Sequence, residues 1–313
     1  MRDQNLPFIL LLLVCVSCEK EIAFDLSLDN ADQIVVEGYI EAGRNAIPPY
    51  VILTNNIPIS TEIKDYNSIF EHNAEIWVSN GVDSLKLEET CWNASNEPLL
   101  RKAYLFSNVN LNKIPKDVNF CVYTNLSKKL EIKSLETYKL RVKTQAGKIL
   151  TAQTTIPHAV SFDSVSFSPP PGVNQNDTMM QIVAYINEPI GKDFYRYFSS
   201  INRSNYIAGR YSVFDDGFID GIKTKIALLK SEPYGTKSTL SNYGLWQKGD
   251  TASIKLCTID KAHYSFWSTI ESNKTNNTNP FAVSVKIKHN IEGGLGIWGG
   301  YNATYLDFIV PKK

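Results

Sequence analysis

The sequence predicts a mainly all-β chain, with an N-terminal immunoglobulin-like β-sandwich followed by a second, aromatic-rich β domain that one short helix interrupts. Three observations lead there. Short β-branched and aromatic runs recur with turn residues between them, as in Ile34-Val35-Val36-Glu37-Gly38-Tyr39-Ile40. Tyr138-Lys139-Leu140-Arg141-Val142-Lys143 alternates apolar and basic residues strictly, so one face of that strand is buried and the other wet. A helical stripe occurs once, where Ile259, His263, Phe266, Trp267 and Ile270 share a face and Thr258 or Asp260 can cap it.

The 313 residues divide into a signal peptide over 1–17, a lipidated tether over 18–32, the sandwich over 33–158 and the C-terminal β-rich domain over 159–313. In the leader, Arg2 precedes an apolar run from Pro7 to Val16, shorter than the about 20 residues a membrane-spanning helix needs. The run ends in Ser17, a small residue directly before Cys18, which is the layout of a secretory signal. With the cysteine in that place it resembles a bacterial lipobox, whose Cys is diacylated and becomes the first mature residue. Cys15 fits less well because bulky Val14 precedes it. One acyl chain holds a membrane marginally and two hold it stably, so Cys18 suffices as an anchor.

In the sandwich, runs at 34–40, 49–54, 74–79 and 82–87 read as strands, with Asn80-Gly81 as a hairpin signal between the last two. Residues 91–119 show no clean period. The runs 138–143 and 149–156 follow, and Pro157 closes the unit. Ser168-Pro169-Pro170-Pro171-Gly172 cannot continue a central strand. Beyond it, 179–186, 194–201, 223–229, 253–259, 282–291 and 297–310 read as strands around the single helix.

Lysine plus arginine equals aspartate plus glutamate at 32 each, so no basic field draws nucleic acid and no acidic tail draws basic partners. In an oxidising compartment Cys91 and Cys121 are candidates for a disulfide, while Cys257 reads as a packed strand residue. Gly294-Leu295-Gly296-Ile297-Trp298-Gly299 matches G-x-G-x-x-G, yet no helix or distant acid follows it, so the glycines read as a bulge or close backbone packing and no cofactor is expected. Asp215, Asp216 and Asp220 with two glycines form a candidate calcium loop, although two Asp-Gly turns explain the same residues and the spacing departs from an EF-hand. The histidines lack metal-ligand spacing, and no nucleophile elbow is present. No catalytic residue is therefore assigned.

The Cys18-Glu19 lipobox end, Ile34-Val35-Val36-Glu37-Gly38, Tyr138-x-Leu140-x-Val142 with Ile156-Pro157, Phe214-Asp215-Asp216 and Asn279-Pro280-Phe281 resemble the domain-of-unknown-function 4249 family of Bacteroidota lipoproteins. The most specific block is Asn290-Ile291-Glu292-Gly293-Gly294-Leu295-Gly296-Ile297-Trp298-Gly299-Gly300-Tyr301, in which Trp298 stands where a phenylalanine is expected. The resemblance implies an outer-membrane lipoprotein facing outward, with genes often beside those of TonB-dependent receptors, and it supplies no catalytic residues. It also implies O-glycosylation candidates in Asp-Ser/Thr-apolar tripeptides, at Ser84, Ser164, Thr178 and Thr251. The expected function is a non-catalytic accessory or ligand-binding partner of a TonB-dependent transporter. The alternative is a surface hydrolase of peptides or glycans using the Asp215, Asp216 and Asp220 carboxylates.

Overall fold

The computed structural model describes residues 33–43, 46–57, 63, 65–93, 119–127, 130–170, 178–217, 219–232, 242–276 and 285–312; the leader and tether, Cys18 included, lie outside them. The described chain is mostly strand with one α-helix. The first seven strands are β1 (Ile34–Ala42), β2 (Tyr50–Asn55), β3 (Glu75–Ser79), β4 (Ser84–Asn93), β5 (Asn119–Thr124), β6 (Thr137–Lys143) and β7 (Ile149–Thr155). Then come β8 (Phe162–Ser168), β9 (Met179–Asn187), β10 (Phe194–Ile201), β11 (Ile207–Asp215), β12 (Lys223–Ala227), β13 (Trp246–Gln247) and β14 (Thr251–Ile259). Helix α1 (Lys261–Asn276) and the long β15 (Leu295–Ile309) end the series.

Alternation decides the first half. In β6, Tyr138, Leu140 and Val142 are buried while Lys139, Arg141 and Lys143 are exposed, and β7 repeats the pattern with Leu150, Ala152 and Thr154 inside. The β3–β4 hairpin is closed by Asn80, whose Oδ1 accepts from the Val82 and Asp83 amides, and by Gly81 at φ +93°. β4 changes partner along its length: residues 84–87 pair with β3 and 88–93 with β5. These strands wrap a core that includes Val36, Val51, Val78, Leu85, Tyr138 and Leu150, with Trp298 of β15 fully buried among them. Burying an indole of roughly 200 Å² stabilises by about 5 kcal/mol as an upper figure. The Trp298 Nε1–H donates to the Tyr138 carbonyl at 3.0 Å, so no polar cost remains.

One eleven-stranded sheet, ordered β11-β10-β14-β15-β1-β2-β5-β4-β3-β6-β7, runs through both expected units. Its seam is β15. That strand lies parallel to β1 from Val35↔Leu295 to Ala42↔Asn302, then antiparallel to β14 from Ile259↔Tyr301 to Thr251↔Ile309. The glycine block makes this crossing sterically feasible. Gly296 sits at φ +105°, and a Cβ there would meet the Val36 carbonyl at 1.9 Å; a Cβ on Gly299 would meet His263 Nδ1 at 2.7 Å. The glycines thus admit the β1 backbone on one side and the helix on the other.

The second half adds a four-stranded sheet of β8, β9, β12 and β13, whose Ile182, Ala184 and Trp246 pack on Ala252, Ile254 and Val310. Helix α1 begins at Asp260, whose Oδ1 accepts from the His263 amide at 2.8 Å in N-cap geometry. Its Phe266 joins Tyr39, Phe198, Ile297 and Tyr301 in a core on one face of the seam, and His263, Trp267 and Ile270 follow on the same stripe. Among the described residues no helix is long and apolar enough to cross a membrane.

Two expectations about elements differ from the structure. Residues 285–291, expected within a strand, are not in one. Their backbone is held by helix side chains instead: Asn273 brackets Val285 through both its amide atoms, and Thr269 Oγ1 accepts from the Lys288 amide. Strands β5, β8 and β11 were not expected. β5 (Asn-Phe-Cys-Val-Tyr-Thr) has five consecutive buried residues and so lacks a period, while β8 exposes several of its residues.

Candidate functional site

The acids singled out in the sequence do not converge on one point. Asp216 is buried and accepts from Lys192 Nζ at 2.8 Å and from the Asp193 amide at 2.8 Å. Burial pulls its carboxyl up, but the Lys192 bond and the Asp193 amide outweigh that and hold it below the ordinary range. Asp215 also reaches Lys192, at 3.1 Å, and Asp220 accepts from the Gly191 amide at 2.9 Å. Lys192 thus supplies a positive charge to two of the three acids. The structure instead gathers Asp216 with Glu188 and Asp193, all within 4.8 Å and able in principle to hold a metal ion. Both Glu188 oxygens are already engaged, by the Tyr195 hydroxyl at 3.0 Å and the Gly221 amide at 2.6 Å. Asp193, raised by burial and partly countered by His158 at 3.6 Å, completes a knot that ties β9, β10 and β11 together. Sequence reading missed Glu188 and Asp193 because both lie more than twenty positions before Asp216; the Asn187-Glu188-Pro189 turn was the available signal.

Cys91 and Cys121 face each other across β4 and β5 and are joined in a disulfide, while Cys257 is a buried free thiol that burial pushes up to about 12. Of the glycosylation candidates, Ser84, Ser164 and Thr178 are exposed and Thr251 is half-buried at the start of β14. Much of the aromatic richness of the second half is core: Tyr195, Phe198 and Tyr301 are fully buried. Four others, Tyr197, Tyr211, Phe214 and Tyr243, line a recess of about 270 Å³.

A second concavity lies on the outer face of β3, β6 and β7. This groove of about 560 Å³ is lined by Trp77, Lys139, Arg141, Gln153, Asn290 and Glu292, among others. Strand register assembles it. Lys86, Trp77, Arg141 and Thr151 stand in one row across β4, β3, β6 and β7; Ser79, Lys139 and Gln153 stand in the next. Trp77 donates its Nε1–H to Glu75 Oε1 at 2.9 Å, and Lys86 Nζ lies 5.9 Å from its ring centroid. That bond first, and the Lys86, Lys143 and Arg141 charges after it, hold Glu75 below the usual carboxylate range. The far wall is fixed: Asn290 bonds the Trp298 amide and carbonyl, and Glu292 accepts from Thr151 Oγ1. Among the described residues no carboxylate lies within salt-bridge distance of Lys86, Lys139, Arg141 or Lys143. The alternation made the wet lysines and arginine legible, whereas nothing local marked Trp77 as their neighbour.

A family model described as a domain of unknown function (DUF4249) matches residues 19–306. The chain belongs to that family. The DUF4249 match takes in the groove, the acid knot and the seam glycines alike, so all three are parts of one family domain. No curated protein and no solved structure matches the chain.

Proposed function

We propose that this DUF4249 protein is a non-catalytic envelope lipoprotein, anchored in the outer membrane through Cys18 and serving as an accessory or ligand-binding partner of a TonB-dependent transporter. The observation that carries this reading is the position of the groove relative to the tether. β1, where the tether enters the fold, begins against Gly294: the Ile34 carbonyl lies 2.7 Å from where a Cβ on Gly294 would stand. The groove residue Glu292 is two positions earlier in the chain. The groove therefore lies near the end of the fold from which a lipidated tether would emerge, which supports a partner held in the same membrane. From Cys18 to Ile34 is 34 − 18 = 16 residues, a reach of at most about 55 Å. The acid knot favours binding over hydrolysis, because Asp216 and Glu188 are committed to fold-holding hydrogen bonds.

Affinity purification of the tagged full chain from detergent-solubilised outer membranes tests this. Recovery of a TonB-dependent receptor is expected, together with loss of membrane association in Cys18→Ser. A wild-type chain that fractionates without the membrane, or that brings down no such receptor, overturns the reading.

A further inference from the structure

We propose that the groove on β3, β6 and β7 binds an acidic polysaccharide, with a sugar ring laid on Trp77 and its carboxylates met by Arg141 and Lys139. This rests on reading the chain as a binding protein of the envelope and names the ligand class of that same site.

The first element is charge. Lys139, Arg141 and Lys143 occupy alternate positions of one strand, all on the exposed face, and stand about 7 Å apart. Lys86 adds a fourth cation across β3. Against them stand Glu75, already engaged by Trp77, and Glu292, already accepting from Thr151. Four cations against two carboxylates leave 4 − 2 = 2 net positive charges on this face, and cations at a regular spacing suit a ligand whose negative charges also repeat. Arginine in particular presents a planar fork that matches a carboxylate.

The second element is the indole. Trp77 is half-buried, flanked by Lys86 and Arg141 in the same row, and orientated by its bond to Glu75. An aromatic face set among polar groups suits a ligand with an apolar flank and a polar rim, which a sugar ring has. An acidic peptide fits less well. β3 and β6 are paired on both sides, and β7, the edge strand, is bridged on its outer side at Thr151↔Glu292, so a peptide backbone cannot add to the sheet at that point. Single-stranded nucleic acid needs successive stacking platforms, and this face offers one aromatic ring.

Calorimetry on the detergent-purified full chain, with three probes, tests the assignment. Oligogalacturonate supplies rings and carboxylates, oligogalactan rings alone, and polyaspartate carboxylates alone. Oligogalacturonate is expected to bind at least about tenfold more tightly than either control, with affinity falling as salt rises. Arg141→Gln and Lys139→Ala together should weaken it by about tenfold or more, and Trp77→Ala by about fivefold, with Trp77→Tyr retaining most of it. Unchanged thermal midpoints show that these substitutions leave the fold intact. Absence of oligogalacturonate binding overturns the proposal. So does polyaspartate binding as tightly as oligogalacturonate, or binding indifferent to both sets of variants. Receptor co-purification that persists while uronate binding is absent removes this ligand and leaves the transporter reading standing; the converse outcome does the reverse.

Discussion

At the seam, Glu41 of β1 and Lys255 of β14 lie fully buried 3.3 Å apart, and the Tyr301 and Tyr305 hydroxyls donate to the same carboxylate at 2.8 and 2.6 Å. On the outer face of β6, Lys139, Arg141 and Lys143 stand in water with no carboxylate within salt-bridge distance among the described residues. The contrast separates two uses of one residue type. Seam charges are satisfied internally and bind β1 and β15, the first and last of the described strands along the chain, to β14. Groove charges contribute little to the fold and remain available to a ligand. A buried pair is costly to break and an exposed cation cheap to remove, so substitutions should divide the two regions sharply.

The largest effect is expected at Gly296. An alanine there combines a positive φ with a Cβ at 1.9 Å from the Val36 carbonyl, which the parallel β1–β15 pairing cannot accommodate. Gly296→Ala should cost about 4 kcal/mol or more, read as a collapse of the denaturant midpoint or loss of soluble protein. Next comes Lys255→Met, which strands Glu41 in the interior and should cost about 3–5 kcal/mol; adding Glu41→Leu should recover at least half of that. If the single and double variants are equally unstable, the pair is not what holds this part of the seam.

His263 sharpens the comparison through pH. Burial first, and the Arg196 charge second, push its imidazole down to about 3 from the ordinary 6.5. Between those values the unfolded chain binds a proton that the folded chain refuses. The stability is therefore fully present above pH 6.5 and drains as pH falls toward 3. Urea titrations of wild type and His263→Phe at pH 6.5 and 4.5 should show the wild type losing about 2–3 kcal/mol more than the variant. Parallel losses would mean that the imidazole is not the group being refused its proton. The smallest effect belongs to the groove, where Lys139→Ala with Arg141→Ala should change stability by less than about 0.5 kcal/mol.

How much of this was legible depended on whether the signal was local. Strict alternation made β6 and β7 readable, and Asp260 with its apolar stripe made α1 readable. The glycine block was readable as close packing, because the surrounding residues lacked the elements that phosphate binding requires. β5 hid because Phe120 to Thr124 are buried at every position, and β11 because Gly209 and Arg210 interrupt its apolar residues. The β1–β15 partnership had no local mark at all. The groove was half visible: the sequence places Lys139 and Arg141 on a wet face, but only register brings Trp77 between Lys86 and Arg141.

That partnership also orders assembly in time. Val35 meets Leu295 across a separation of 295 − 35 = 260 residues, so β1 acquires its second neighbour only when nearly the entire domain has been made. Contacts of such long range slow folding, since the loop they close must lose its entropy before the pairing rewards it. Until then that edge of β1 is open. The last strand to arrive is the one that completes the first.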